Sequence, residues 1–212
     1  MSEITTILFD FDGVITNTEP QYDLFFNEVG KRYGLGIDNF ATYIKGVTLP
    51  NILERFFPDH SEEDKNKIAE ETIEFEKQMD FSPIPGSLKF IEYAKNAGYK
   101  IGLVTSSQDF KMKIALEQLN LTGVFDTEVT ADRIVQGKPD PMCYLLGAKD
   151  LDSSPEECIV FEDAPMGIQA ATGAGMKVIG LSTTVPADEL KDNVFAVIPD
   201  FTNLQAVISL LK

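Results

Sequence analysis

Four short stretches of this chain carry side chains able to do chemistry. The first, DFDGVITNTEP, holds Asp10 and Asp12. If the apolar run leading into them is a strand, alternation puts both carboxylates on one side and close together. Neighbouring carboxylates repel, so such a pair usually needs a cation or a shared proton. The plain alternative is a turn at a strand end, where Asp and Gly are common. The second stretch offers Thr105 and Ser106. A hydroxyl and free backbone N–H groups at a helix entrance can hold phosphate oxygens, or they can simply cap the helix. The third is Lys138 in QGKPDP. Pro139 biases this lysine towards extended backbone, which would let it point inward; a lone loop lysine is otherwise a solvated surface charge. The fourth is Glu162 and Asp163 in VFEDAPMGIQAATGAG. A buried strand ending in two carboxylates is costly unless a metal or a lysine compensates them, and helix capping ahead of Pro165 is the competing reading.

Each stretch alone is a weak signal; their joint placement is a stronger one. Three or four carboxylates, one cation, one hydroxyl and backbone donors are what phosphoryl transfer through a carboxylate nucleophile requires. Magnesium suits carboxylate sites completed by water and a substrate phosphate.

These groups must be brought to one edge, and the hydrophobic pattern supplies the means. Short runs rich in strand formers fall at 5–11, 99–105, 125–130, 158–162, 177–181 and 195–198. Helical patterns lie between them at 86–97, 110–119, 141–149 and 166–174. Such alternation predicts an α/β, Rossmann-like parallel sheet with helices on both faces. All four reactive stretches then sit at the carboxyl ends of strands or in the loops that follow, where open parallel sheets bind ligands. One segment breaks the pattern. From Glu19 to about Asp80 there is no strand, only helical patterns at 22–33, 49–57 and 62–79, with Ser61 and Asp64 spaced to cap the last. PIPG at 83–86 marks the return to the sheet. The segment reads as an all-helical insertion.

Charge narrows the partners. The 212 residues carry a net charge of -16, which argues against nucleic-acid or membrane surfaces because both are anionic. An anionic substrate can bind only where a cation or amide dipoles reverse that field. Cys143 and Cys158 form no CxxC pair and read as reduced thiols. The opening MSEITTILFD lacks a basic stretch followed by a long apolar one, and no apolar run is long enough to span a bilayer. The expected location is the cytoplasm, and nothing calls for more than a monomer.

In order and spacing, the four stretches resemble the four motifs of the haloacid dehalogenase superfamily, in its beta-phosphoglucomutase-like phosphatase branch. The resemblance covers essentially the whole chain. It implies a catalytic core at 1–15 and 82–212 and a helical cap at 16–81, hinged near Thr16 to Thr18 and Ser82 to Pro85. It also implies roles residue by residue. Asp10 is the nucleophile. Asp12 is the acid and base, with its backbone carbonyl on the metal. Thr105, Ser106 and Lys138 hold the phosphoryl group, and Asp163 completes a magnesium site with Asp10 and Asp12, with Glu162 in or beside it. The presence of Asp12 argues against the dehalogenase branch.

Three positions depart from the mutase pattern: Tyr22 stands where a histidine is expected, Leu49 where an arginine is, and Gln108-Asp109 where Lys-Asn is. These changes remove a ring and two cations, and an arginine–phosphate pair has no counterpart in leucine. The expected activity is hydrolysis of a small phosphorylated metabolite, a sugar phosphate above others; a sugar phosphomutase and a non-catalytic binding module of the same fold are the alternatives. Lys45, in IKGVT, either reaches the substrate or is a surface lysine. The single histidine, His60, is expected to face solvent, Phe25, Phe26, Phe56 and Phe57 to build the core of the insertion, and the acidic Glu62, Glu63 and Asp64 to form a solvated first turn. Gly173 and Gly175 are expected to stop a helix.

Overall fold

The run TILF, buried at every position, forms the first strand, β1 (Thr6–Phe9). Five more follow: β2 (Lys100–Val104), β3 (Thr127–Val129), β4 (Cys158–Glu162), β5 (Lys177–Leu181) and β6 (Ala196–Ile198). In the computed structural model, which describes residues 3–212, they make one parallel sheet in the order β3-β2-β1-β4-β5-β6. The order reverses beside β1, so the crevice at the carboxyl ends of β1 and β4 is the natural ligand site.

Side-chain alternation sorts the strand residues onto two faces. Ile7, Phe9, Ile101, Leu103, Ile159 and Phe161 pack on one face against α4 (Ser87–Asn96), α5 (Asp109–Gln118) and α9 (Leu204–Ser209). Leu8, Val104, Cys158 and Val160 pack on the other against α6 (Met142–Asp150), α7 (Pro165–Gly173) and α8 (Ala187–Leu190). With both faces covered, each central strand is apolar throughout rather than alternating with polar residues. That is why CIVFE and KVIGL show as unbroken runs and their expected bounds hold. β1 is shorter than expected. The carbonyl of Phe11 accepts from the N–H groups of Val14, Ile15 and Thr16, so the chain turns where the apolar run suggests it continues. The strand therefore ends at Phe9. Also unforeseen are α8, α9 and a short 3-10 turn at Phe40–Tyr43.

Between β1 and α4 lie α1 (Glu19–Arg32), α2 (Leu49–Phe56) and α3 (Glu62–Lys77). They enclose their own apolar cluster, which includes Phe26, Val29, Phe40, Ile52, Phe57 and Ile68. Phe25 stacks on Phe75 at 4.4 Å and Phe56 packs edge-on to Phe40, so the four phenylalanines build this cluster as expected. Ser61 caps α3, its hydroxyl accepting from the Asp64 N–H at 3.1 Å, and Glu62 and Glu63 in that first turn are exposed. His60 is a correction. It is half-buried, its ring lies 5.2 Å from Phe57 and 5.9 Å from Tyr33, and its Nε2 stands 3.0 Å from the Tyr33 carbonyl. Aromatic packing, not solvent, receives it. Gly173 belongs to α7 itself; Gly175, at φ 80°, is the stop.

The two crossings of the chain between sheet and helices run side by side. Asn17 N–H donates to the Ser82 carbonyl and Ile84 N–H to the Ile15 carbonyl, each at 2.8 Å. Cys143 and Cys158 are free and buried, and burial pushes both thiols up to about 11. No helix among the described residues is long and apolar enough to cross a membrane.

Candidate active site

The register of β1 and β4 sets the centre of the site. Phe9 pairs with Phe161, and the Asp10 N–H donates to the Phe161 carbonyl at 3.0 Å. Asp10 and Glu162 therefore leave adjacent strands at the same level. By alternation both belong to the α6/α7 side, and one cation serves them both. Lys138 Nζ lies 2.9 Å from Asp10 Oδ1 and 2.6 Å from Glu162 Oε1. The lysine is 1% exposed, so it is an interior charge rather than a surface one. Burial opposes its ammonium, but Asp10 and Glu162 more than offset this and hold its proton above the usual lysine range.

Glu162 is fully engaged. Its Oε1 accepts from Lys138 and from the Tyr144 hydroxyl at 2.8 Å, and its Oε2 accepts from the N–H groups of Asp163 and Ala164 at 3.0 and 3.1 Å. It presses so closely on α7 that a Cβ on Gly167 would fall 1.7 Å from Oε1. With both oxygens doubly occupied, Glu162 anchors Lys138.

Asp163 is the opposite case. Its Oδ2 accepts from the Thr184 hydroxyl, while its Oδ1 is buried without a partner. Burial, reinforced by Glu162, Glu19 and Asp10, drives its pKa well above the usual carboxylate range. Burial likewise raises Asp10 to about 7, with Lys138 pulling down and Glu162 and Asp12 pushing up. Ligand oxygens of Asp10, Glu162 and Asp163 all lie within 4.8 Å of one another. An orphaned, buried carboxylate oxygen in such a cluster fits a hard divalent cation, which would remove the cost of the unpaired charge. Gly13, at φ 77°, clears the approach: a Cβ there would meet Asp163 Oδ2 at 1.9 Å.

Asp12 departs from the geometry expected of it. It lies past the end of β1, in the turn, so strand alternation does not place it. Its carboxylate is outside the three-carboxylate cluster and is bound by Lys111 Nζ, 2.6 Å from each oxygen, by the Ser107 hydroxyl at 3.0 Å and by the Thr18 hydroxyl. Among its atoms, only the backbone carbonyl remains as the metal ligand that the family resemblance implies. Lys111 is not among the residues that the sequence motifs single out. It sits on α5 with no exposure, on the same helix face as Met112, Ala115 and Leu116. A lysine on an otherwise apolar stripe was the available signal.

After β2, the Thr105 N–H pairs with the Val129 carbonyl, and its hydroxyl oxygen accepts from the Ser107 N–H at 3.1 Å, leaving the hydroxyl hydrogen to give. The Ser106 hydroxyl reaches across to the Gly46 carbonyl at 2.7 Å, joining the sheet edge to the helical segment. Asp10, Asp12, Thr105, Ser106 and Asp163 line a cavity of about 190 Å³, closed on the far side by Glu19, Tyr22, Asp23, Lys45, Leu49 and Glu76. Lys45 is no surface lysine. Its ammonium lies 2.5 Å from Glu19 and 2.7 Å from Asp23.

A motif set at the carboxyl edge of a 3-2-1-4-5-6 sheet invites comparison with known proteins. The family model of haloacid dehalogenase-like hydrolases matches residues 7–181. The chain belongs to that family. Within it, Escherichia coli hexitol phosphatase A is 32% identical over 185 residues, covering 85% of this chain and 83% of the relative. The Thermotoga maritima phosphorylated carbohydrates phosphatase is 34% identical over 183 residues, covering 82% of each. Among solved structures, the beta-phosphoglucomutase of Clostridium difficile superposes with a TM-score of 0.81 at 26% identity, covering 98% of this chain and 97% of that one. The beta-phosphoglucomutase-like branch of the family is thus where the chain stands.

Proposed function

We propose that this protein is a magnesium-dependent phosphatase that hydrolyses a small phosphorylated carbohydrate through an aspartyl-phosphate on Asp10. The observation that carries the reading is the pairing of Asp10 with the buried Lys138, beside the orphaned oxygen of Asp163, with Asp10 and Asp163 both lining the cavity. The names of the relatives support the carbohydrate. Residues 16–81 act as a cap over a core of 1–15 and 82–212, and closure excludes bulk water.

Asp10, Asp163 and the Asp12 carbonyl would hold the magnesium ion, which when bound neutralises the charge of the transferring phosphate. The chain's own groups do the rest. Lys138 opposes the burial that favours a protonated Asp10 and neutralises phosphoryl oxygens near it; the Thr105 hydroxyl and the Ser106 N–H bind the others. Asp10 Oδ attacks phosphorus, and the bond to the leaving oxygen breaks as Asp12 gives that oxygen a proton. Asp12 then takes a proton from the water that attacks the aspartyl-phosphate, releasing inorganic phosphate and restoring Asp10.

A mutase would need a cationic seat for a second phosphate. Lys45 is the one lysine lining the cavity among the described residues, and Glu19 and Asp23 already neutralise it; Leu49 and Gln108 add no charge. The test is phosphate release with magnesium from a panel of sugar and polyol monophosphates, including beta-glucose 1-phosphate, with Asp10→Asn as control. Steady release by the wild type alone is the expected result. Conversion of beta-glucose 1-phosphate to glucose 6-phosphate without net release would establish the mutase instead.

A further inference from the structure

Lys111 is the second lysine sealed in this interior, and no step above uses it. A lysine side chain with no exposure is rare unless its charge is paired. Here the ammonium spends all three donors: two on Asp12 Oδ1 and Oδ2, each at 2.6 Å, and one on the Ser107 hydroxyl at 2.9 Å. It has none left for a phosphate, so whatever it contributes must pass through Asp12.

The surroundings show what that contribution is. Ser107 accepts from Lys111 and donates to Asp12, closing a three-membered ring of contacts. Thr18, the residue before α1, adds a further bond to Asp12. The Lys111 ammonium also lies 4.8 Å from the centre of the Tyr22 ring on α1 and 5.6 Å from that of Phe11. Tyr22 in turn donates its hydroxyl to Glu76 on α3 at 2.6 Å. The orientation of one core carboxylate is thereby set jointly by a core helix and by two helices of the inserted segment.

We propose that Lys111 is a positioning residue for Asp12, fixing its carboxylate for proton transfer and tying that orientation to the placement of α1 and α3. The proposal rests on the phosphatase reading, in which Asp12 moves protons. It predicts that Lys111→Met lowers kcat about a hundredfold, the penalty of a small misplacement of a catalytic group, while KM changes less than threefold. Lys111→Arg, which keeps a charge and several donors, should recover at least tenfold of that loss. The decisive comparison uses Asp12→Asn with and without Lys111→Met. If Lys111 acts through Asp12, its removal costs nothing further once Asp12 is disabled, and the two variants share one residual kcat. Removing both charges together also keeps the test valid should Lys111→Met alone fail to fold. A wild-type kcat in Lys111→Met, a loss confined to KM, or an additive drop in the double variant would overturn the proposal. A wild type that releases no phosphate from any monophosphate would instead overturn the functional reading, and this one with it.

Discussion

The sheet edge and the helical segment face each other across one cavity, yet they bury charge in different ways. At the sheet edge three charged groups are each fixed by several partners: Lys138 by Asp10 and Glu162, Glu162 by four donors, Asp12 by Lys111, Thr18 and Ser107. Across the cavity, the helices rest on an aromatic core and present the Tyr22–Glu76 pair and a more exposed trio, Lys45 with Glu19 and a partly exposed Asp23. Fixed dipoles and charges favour a transition state because they need no reorganisation when the reaction occurs. A looser lining suits choice among substrates. The comparison assigns chemistry to the edge and selection to the segment, and it can be broken in several places.

The largest effect is expected at Asp10. Asp10→Asn should lower phosphate release by a factor of at least about a thousand, since it removes the proposed nucleophile, and leave the circular dichroism spectrum unchanged; near-full activity would remove Asp10 from the mechanism. Lys138→Met should follow, with kcat falling about a hundredfold or more. It should also cost about 3–5 kcal/mol of stability, because two buried carboxylates lose their partner. A denaturant titration reads the second effect, and an unchanged midpoint would show that Lys138 is not the interior charge described.

Magnesium should raise the melting temperature, and the rise should depend on pH with a definite sign. Burial raises Asp10 to about 7, above the ordinary value for a carboxyl group. The stability associated with its proton is present below the unfolded value and is lost as pH climbs towards about 7. A divalent cation competes with that proton. The thermal shift produced by magnesium should therefore be small at pH 5.5 and several degrees at pH 8, and EDTA should abolish it. A shift independent of pH would place the ion elsewhere.

Changes across the cavity should be gentler and of another kind. Lys45→Ala or Glu19→Gln should raise KM about tenfold and alter the ranking of substrates while kcat moves less. An equal loss of kcat for every substrate would mean that the segment shares in the chemistry. Smallest of all, Ser61→Ala removes the cap of α3 and should cost about 1 kcal/mol with no change in activity.

The same division explains what could be read from the residues alone. Central strands were legible because burial on both faces leaves an unbroken apolar run with polar ends, as at Cys158–Glu162. Asp10, Thr105, Lys138 and Asp163 each had a plain alternative as turn, cap or surface residues, and only their joint placement near one sheet edge marked them. Phe11 extended the first run past the true strand end, since an apolar side chain in a turn can enter the core as Phe11 does. Lys111 escaped notice because a lysine within a helix is normally solvated, and only the neighbouring apolar stripe marked it. The polar neighbours of His60 in sequence point to solvent, whereas its ring packs on nearby Phe57 and on Tyr33, which lies far from it along the chain. Pairings across such distances leave no local trace.

The two paired crossings at Asn17–Ser82 and Ile15–Ile84 carry a consequence for how such a protein can change. Everything between them is a loop closed at its base, and the free energy of closing a loop grows only slowly with its length. The sheet therefore senses the seam far more than what hangs from it. A change in the length of the intervening piece, away from its contacts with the sheet edge, is therefore expected to leave the register of the strands intact.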